Sequence, residues 1–142
     1  MNKELFIALC NHIEQNVRDV RWIDADDGQL NIARPPVAFP CVLVDMTYPQ
    51  CESLNAGSQK IRAQFTLRVA FQSGGATNSA APEEVRSQAL ARLDTLEDIH
   101  KALNWWNYDR QISPLRRLRV TPARRQDGYK VYQMVYETQF IE

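Results

Sequence analysis

From Ile61 to Phe71 the chain reads Ile-Arg-Ala-Gln-Phe-Thr-Leu-Arg-Val-Ala-Phe, and every odd position is apolar. Ile61, Ala63, Phe65, Leu67, Val69 and Phe71 alternate with Arg62, Gln64, Thr66, Arg68 and Ala70. Successive side chains of a strand point to opposite faces, so this pattern specifies a strand with one buried and one wet face. It is longer than the usual strand of about five or six residues. A long half-exposed strand belongs in an antiparallel sheet, because parallel strands are covered on both faces.

The remaining elements follow from local signals. Leu5, Phe6, Leu9, Ile13 and Val17 recur at helical spacing and predict a helix over residues 2–18, capped by Asn2 and facing the sheet with Leu5, Phe6 and Leu9. A short strand is expected at 20–25, ended by the turn Asp26-Asp27-Gly28. Residues 28–40 hold Pro35, Pro36 and Pro40 and read as a loop. A strand over 41–48 is expected to stop at Pro49 and to form an irregular hairpin with the long strand, through a turn at 54–58. Residues 72–81 are small and polar, a flexible loop. Its Gly74-Gly75 pair lacks the Gly-Lys-Ser/Thr ending of a phosphate-binding loop.

Pro82-Glu83-Glu84 suits a helix start, with proline in the first turn and carboxylates at the positive end of the dipole. That helix is predicted to reach Leu103. Its inner face would carry Val85, Ala89, Leu93, Leu96, Ile99 or His100, and Leu103, widened by Leu90. Two strands follow, at 115–124 and 129–141, joined by Gln126-Asp127-Gly128, an Asp-Gly hairpin signal. In the first, Leu118 and Val120 are expected on one face and Arg117, Arg119 and Thr121 on the other. In the second, Tyr132, Met134, Tyr136, Thr138 and Phe140 form the apolar face. The expected fold is α+β: one mainly antiparallel β-sheet of four to five strands, two helices packed on one face, order α-β-β-β-α-β-β, in a single domain over 1–142.

Chemistry is sparse. His12 and His100 lie far apart and have no partners at metal-ligand spacing. Asp24, Asp26 and Asp27 lack the glutamate that closes a calcium loop and read as a solvated turn. Cys10, Cys41 and Cys51 are an odd number with no close pair, which suits free thiols in a reducing cytoplasm. Cys41 follows Pro40 at a strand start with nothing nearby to activate it, so it reads as a small buried residue. Of Trp105 and Trp106, one ring should complete the core and the other mark a contact surface. No apolar run approaches the roughly 18 residues of a membrane span, and the N-terminus does not read as a signal peptide.

Charge is distributed unevenly. The chain is formally neutral, with 17 basic and 17 acidic residues. Residues 101–130 nevertheless carry Lys101, Arg110, Arg116, Arg117, Arg119, Arg124, Arg125 and Lys130 against Asp109 and Asp127, a net of +6, while residues 1–60 sum to −3. Three readings fit: a solvated edge protected by charge, a nucleic-acid surface helped by Tyr129, Tyr132 and Tyr136, or opposite charges orienting a head-to-tail ring.

The N-terminal helix is followed by Val20-Arg-Trp-Ile-Asp24 and Gly28-Gln29-Leu30, then by a proline-rich lead-in to Phe39-Pro40-Cys-Val-Leu-Val-Asp45. The long strand over 59–72, a mid-chain helix and a strand pair ending Tyr136-Glu-Thr-Gln-Phe140 complete the order. In this the chain resembles the tail terminator (tail completion) proteins of long-tailed bacteriophages and prophages. The resemblance implies a non-enzymatic subunit of a hexameric ring that caps the finished tail tube and meets the head connector. Implied partners are further copies of itself, the tail-tube protein and the head–tail connector, with DNA passing through the ring without sequence-specific binding. It implies no catalytic residues, cofactor, metal or membrane, and a location in the bacterial cytoplasm during assembly and then in the virion tail. The expected interaction residues are Arg62, Arg68, Trp106, Arg116, Arg117, Arg119, Arg124 and Arg125, together with the 72–81 loop. The rival readings are another neck or connector protein, and a small nucleic-acid-binding module using the basic C-terminal hairpin.

Overall fold

The computed structural model describes residues 2–72 and 75–142. The elements are α1 (Lys3–Asn16), β1 (Trp22–Ala25), β2 (Cys41–Asn55), β3 (Ser58–Phe71), α2 (Glu83–Leu103), β4 (Arg116–Ala123) and β5 (Lys130–Ile141). They form one five-stranded sheet in the order β1-β2-β3-β5-β4. All neighbours are antiparallel except β1, which runs parallel to β2. This is the expected α+β arrangement, with a parallel strand added at one margin. Ser73 and Gly74, within the expected 72–81 loop and its Gly-Gly pair, lie outside the described residues.

The alternation of β3 becomes its burial. Ile61, Ala63, Phe65, Leu67, Val69 and Phe71 join one core, and Arg62, Gln64, Thr66 and Arg68 stay at least partly wet. On the same face β2 adds Val42, Val44 and Met46, and β5 adds Met134, Tyr136 and Phe140. The two helices cover this front face. In α1, the Leu5 N–H donates to the Asn2 side chain at 3.0 Å, and Leu5, Leu9 and Ile13 are buried. The Asn2 N–H also donates to the Tyr48 hydroxyl at 3.2 Å, which ties the helix start to β2.

Two expected core residues of α2 remain exposed. Val85 and Leu93 are 42% and 44% accessible, while Ala89, Thr95, Leu96, Ile99 and Leu103 are buried. Arg92 sits over Tyr132, its Nε donating to the hydroxyl at 3.0 Å, near the start of β5. Val85 lies seven residues earlier, about 10 Å along the axis, in the first turn and ahead of the first buried residue of the helix, Ala89. Leu93 is turned about 100° from Arg92 and lies beside the buried track.

Pro49 does not stop β2. The β2–β3 register shifts between Thr47 and Gln50, so Tyr48 and Pro49 sit in a bulge. A bulge is where a strand tolerates a residue with no N–H to give to the ladder. The hairpin therefore runs on to Asn55, turns at Ala56-Gly57 and returns at Ser58. The Gly57 N–H donates to the Asn55 side chain at 2.8 Å. This tight turn replaces the expected irregular loop. Past the Gln59–Glu142 backbone pair, the two strands pair only with each other among the described residues and are almost wholly exposed.

The proline-rich stretch has a specific task. It crosses the back face and seals one end of it. Leu30, Cys41, Leu43, Ala70 and Val131 form a second, smaller core, bordered by Val37, Phe39 and Tyr129. Phe39 stacks on Tyr129 with centroids 5.2 Å apart.

Candidate interaction surface

The expected contact residues fall on two surfaces. Arg62 and Arg68 lie on the polar back face. Arg62 is 3.5 Å from Glu137, which also receives Arg116 at 3.8 Å, and Arg68 is 3.7 Å from Asp26. Half-exposed pairs of this kind contribute about 0–1 kcal/mol, so they order the face without dominating stability.

The basic hairpin lies at the far margin of the sheet, where every residue of β4 is exposed. Its facing differs from the expected alternation. The β4–β5 register shifts between Arg117 and Arg119, leaving Leu118 as a bulged extra residue. Arg117 is therefore opposite Tyr136 on the front face, together with Val120, while Arg116 and Arg119 lie on the back. Leu118 projects from the bulge, 42% exposed and flanked by the two arginines. Among the described residues neither Arg119 nor Arg124 lies within ion-pair distance of an acid. Arg125 is tied down instead: its guanidinium pairs with Asp127 and donates to the Leu30 carbonyl, holding the hairpin turn onto the proline-rich stretch. This pairing holds the Asp127 carboxyl below its ordinary pKa.

The two tryptophans separate. Trp106 is stacked on His12 at 4.9 Å and on Tyr108 at 5.8 Å, half-buried beside the core. The exposed ring is Trp105, 65% accessible, at a left-handed φ of 64°. Tyr108, Asp109 and Arg110 share that backbone region. Four such non-glycine residues in six positions are uncommon, and no composition signal announces them.

Tyr136 is fully buried, Tyr132 is held by Arg92, and Tyr129 is stacked on Phe39. The hairpin thus offers no open aromatic platform on which bases could stack. Inside, the Tyr136 hydroxyl is 2.9 Å from His100 Nδ1. Burial pushes the Tyr136 phenol up to about 12. Burial also lowers His100, and the Arg117 cation lowers it further. The folded protein therefore resists a proton that the unfolded chain accepts near pH 6.5. Stability is expected to be full above that pH and to decline as pH falls through the folded value. His100→Gln should flatten the fall in urea midpoint between about pH 7.5 and 5.5. An unchanged slope in the variant would contradict this.

The thiols divide by burial. Burial raises both Cys41 and Cys10 to about 11, and Cys51 is exposed on β2. A disulfide reagent at neutral pH should label Cys51 within minutes, the half-buried Cys10 more slowly, and Cys41 only as the protein unfolds. Three equally fast thiols would contradict the packing.

The opposite sheet margin is acidic. Where β1 ends, a groove of about 300 Å³ opens between α1 and β2. Phe6, Ala25, Val44 and Met46 give it an apolar floor, and Asp26, Asp27, Asp45 and Lys3 line its rim. Among the described residues no three His, Cys, Asp or Glu side chains gather as a metal site. No helix among them is long and apolar enough to cross a membrane.

No protein-family model and no curated protein sequence matches the chain. Among solved structures, a chain of the virion of a native gene transfer agent particle is similar, with 15% identity and a TM-score of 0.44. The match covers 94% of this chain and 84% of that one.

Proposed function

We propose that this chain is a non-enzymatic structural subunit of a phage-like tail, which closes the end of the tail tube as a ring and meets the head connector. The observation that carries the reading is the β2–β3 hairpin, set in the element order of tail terminators. Its strands span Cys41–Asn55 and Ser58–Phe71, and its tip extends past the sheet with exposed side chains, small or polar but for Leu54. Such an arm adds nothing to the core, and it suits contact with a neighbouring protein. The sheet's surplus of exposed charge at one margin, opposite an acidic margin, suits a subunit with two different neighbours.

The test is co-sedimentation with polymerised tail-tube protein encoded in the same gene cluster. The parent chain should pellet with tubes at a low, end-limited ratio. A variant with residues 53–57 replaced by a two-residue Asn-Gly turn should stay folded and lose tube binding. No co-sedimentation of the parent chain would contradict the reading.

The basic edge favours one rival, a nucleic-acid-binding module using Arg116, Arg117, Arg119 and Arg124. That rival requires affinity for DNA that falls steeply with salt.

A further inference from the structure

The outer edge of β4, and that of β2 where β1 no longer covers it, are blunted against backbone pairing. β4 carries a bulge at Leu118, four arginine or threonine positions and Pro122, which has no N–H to offer. Beyond Val44, the outer edge of β2 has no partner among the described residues, and it too holds a proline in a bulge. Charge, bulges and proline are the devices by which edges avoid joining other sheets. At these two stretches side chains, not backbone, are suited to make contact.

Those side chains are complementary. On one margin Arg117-Leu118-Arg119 presents an apolar knob between two cations, with Val120 beside it at 38% exposure. On the other margin the shallow groove is largely the inverse: Phe6 and Ala25 partly exposed below, and Asp26, Asp27 and Asp45 at its rim with a single cation, Lys3. Asp26 is engaged by Arg68, while Asp27 and Asp45 are exposed. The strand order places these features at opposite ends of the same sheet. A knob and its socket on opposite margins cannot meet within one chain. They generate a heterologous contact, which closes into a ring when the rotation per subunit allows.

We infer that the Arg117–Val120 knob of one copy docks into the groove between α1 and β2 of a second copy. The inference rests on the ring reading above and names its subunit contact. Leu118 and Val120 cover Phe6 and Ala25, the partly exposed apolar residues of the groove, and Arg119 meets Asp45. The apolar contact holds the pair together, and the charges select the orientation.

Sedimentation velocity of the full chain, over a concentration series to about 1 mM, tests this. The parent chain should self-associate. Leu118→Asp should weaken association by at least about tenfold, the loss of a well-packed anchor. Arg119→Glu and Asp45→Arg, both at exposed positions without an ion pair, should each weaken it about tenfold. Combined in one chain, the two reversals should restore it to within about threefold. Unchanged circular dichroism and thermal midpoints would show that all variants fold. Self-association indifferent to Leu118→Asp and to the swap would overturn this contact and leave the ring to another surface. A strictly monomeric parent chain would overturn it too, while tube co-sedimentation would still decide the tail reading by itself. Loss of duplex DNA binding in Arg119→Glu, with assembly unchanged, would instead assign the edge to nucleic acid.

Discussion

Phe65→Ala is expected to destabilise the fold by about 3–5 kcal/mol, against about 0.5 kcal/mol or less for Thr66→Ala beside it. Phe65 is 1% exposed in the central strand, opposite Met46 on one side and Tyr136 on the other. Truncating it removes a large apolar surface and opens a cavity flanked by two strands. Neither strand can close in without breaking its own ladder. Thr66 is one residue away on the back face and partly wet. The total stability of a domain is about 5–15 kcal/mol, so the first substitution consumes much of the margin. Urea unfolding of both variants measures the contrast. Similar losses at 65 and 66 would mean that the two faces of the strand are not distinct.

Leu30→Ala is expected to cost about 2–4 kcal/mol, and to act locally first. Leu30 is fully buried against Cys41, Leu43, Ala70 and Val131, and its carbonyl accepts from Arg125. Its loss frees the proline-rich stretch from the back face without touching the larger core under the helices. Hydrogen exchange should therefore quicken over residues 28–40 and the 124–129 turn before it quickens in β3. Cys41 would become reactive to thiol reagents under native conditions. Uniform acceleration across the sheet would show that the two cores are one cooperative unit.

The contrast between these sites reflects what periodicity can encode. The alternation of Ile61–Phe71 shows directly which side chains are buried, because strand geometry leaves no other arrangement. The Asn2 cap, the Pro82 helix start and the Asp127-Gly128 turn are equally local, and each appears where its chemistry demands; Gly128 takes φ +85°. The features that set the interaction surface are not local. Pro49 signals a strand end unless a bulge absorbs it, and a bulge depends on the partner strand. The extra residue at Leu118 shifts every facing before it by one, which moves Arg117 onto the front beside Tyr136. Nothing in Arg116–Ala123 alone announces that shift. The parallel pairing of β1 and the packing of residues 28–40 on the back face depend on contacts distant in sequence. The choice between Trp105 and Trp106 depends on left-handed backbone positions that carry no glycine.

The groove at the acidic margin shows the same limit. Along the chain Asp26 and Asp27 read as a solvated turn with Asp24, and Asp45 as a polar position of the next strand. Their common setting appears only when β1 ends beside Val44 and α1 brings Phe6 over the gap.

Electron microscopy of tail tubes assembled with this chain, carrying a gold-binding tag, shows directly whether it closes the tube end. A tail-closing ring subunit should be found at one end of each tube, as a ring of fixed copy number, and should stop further growth of the tube. Label spread along the tube wall, or tubes that lengthen unchanged in its presence, would contradict the account.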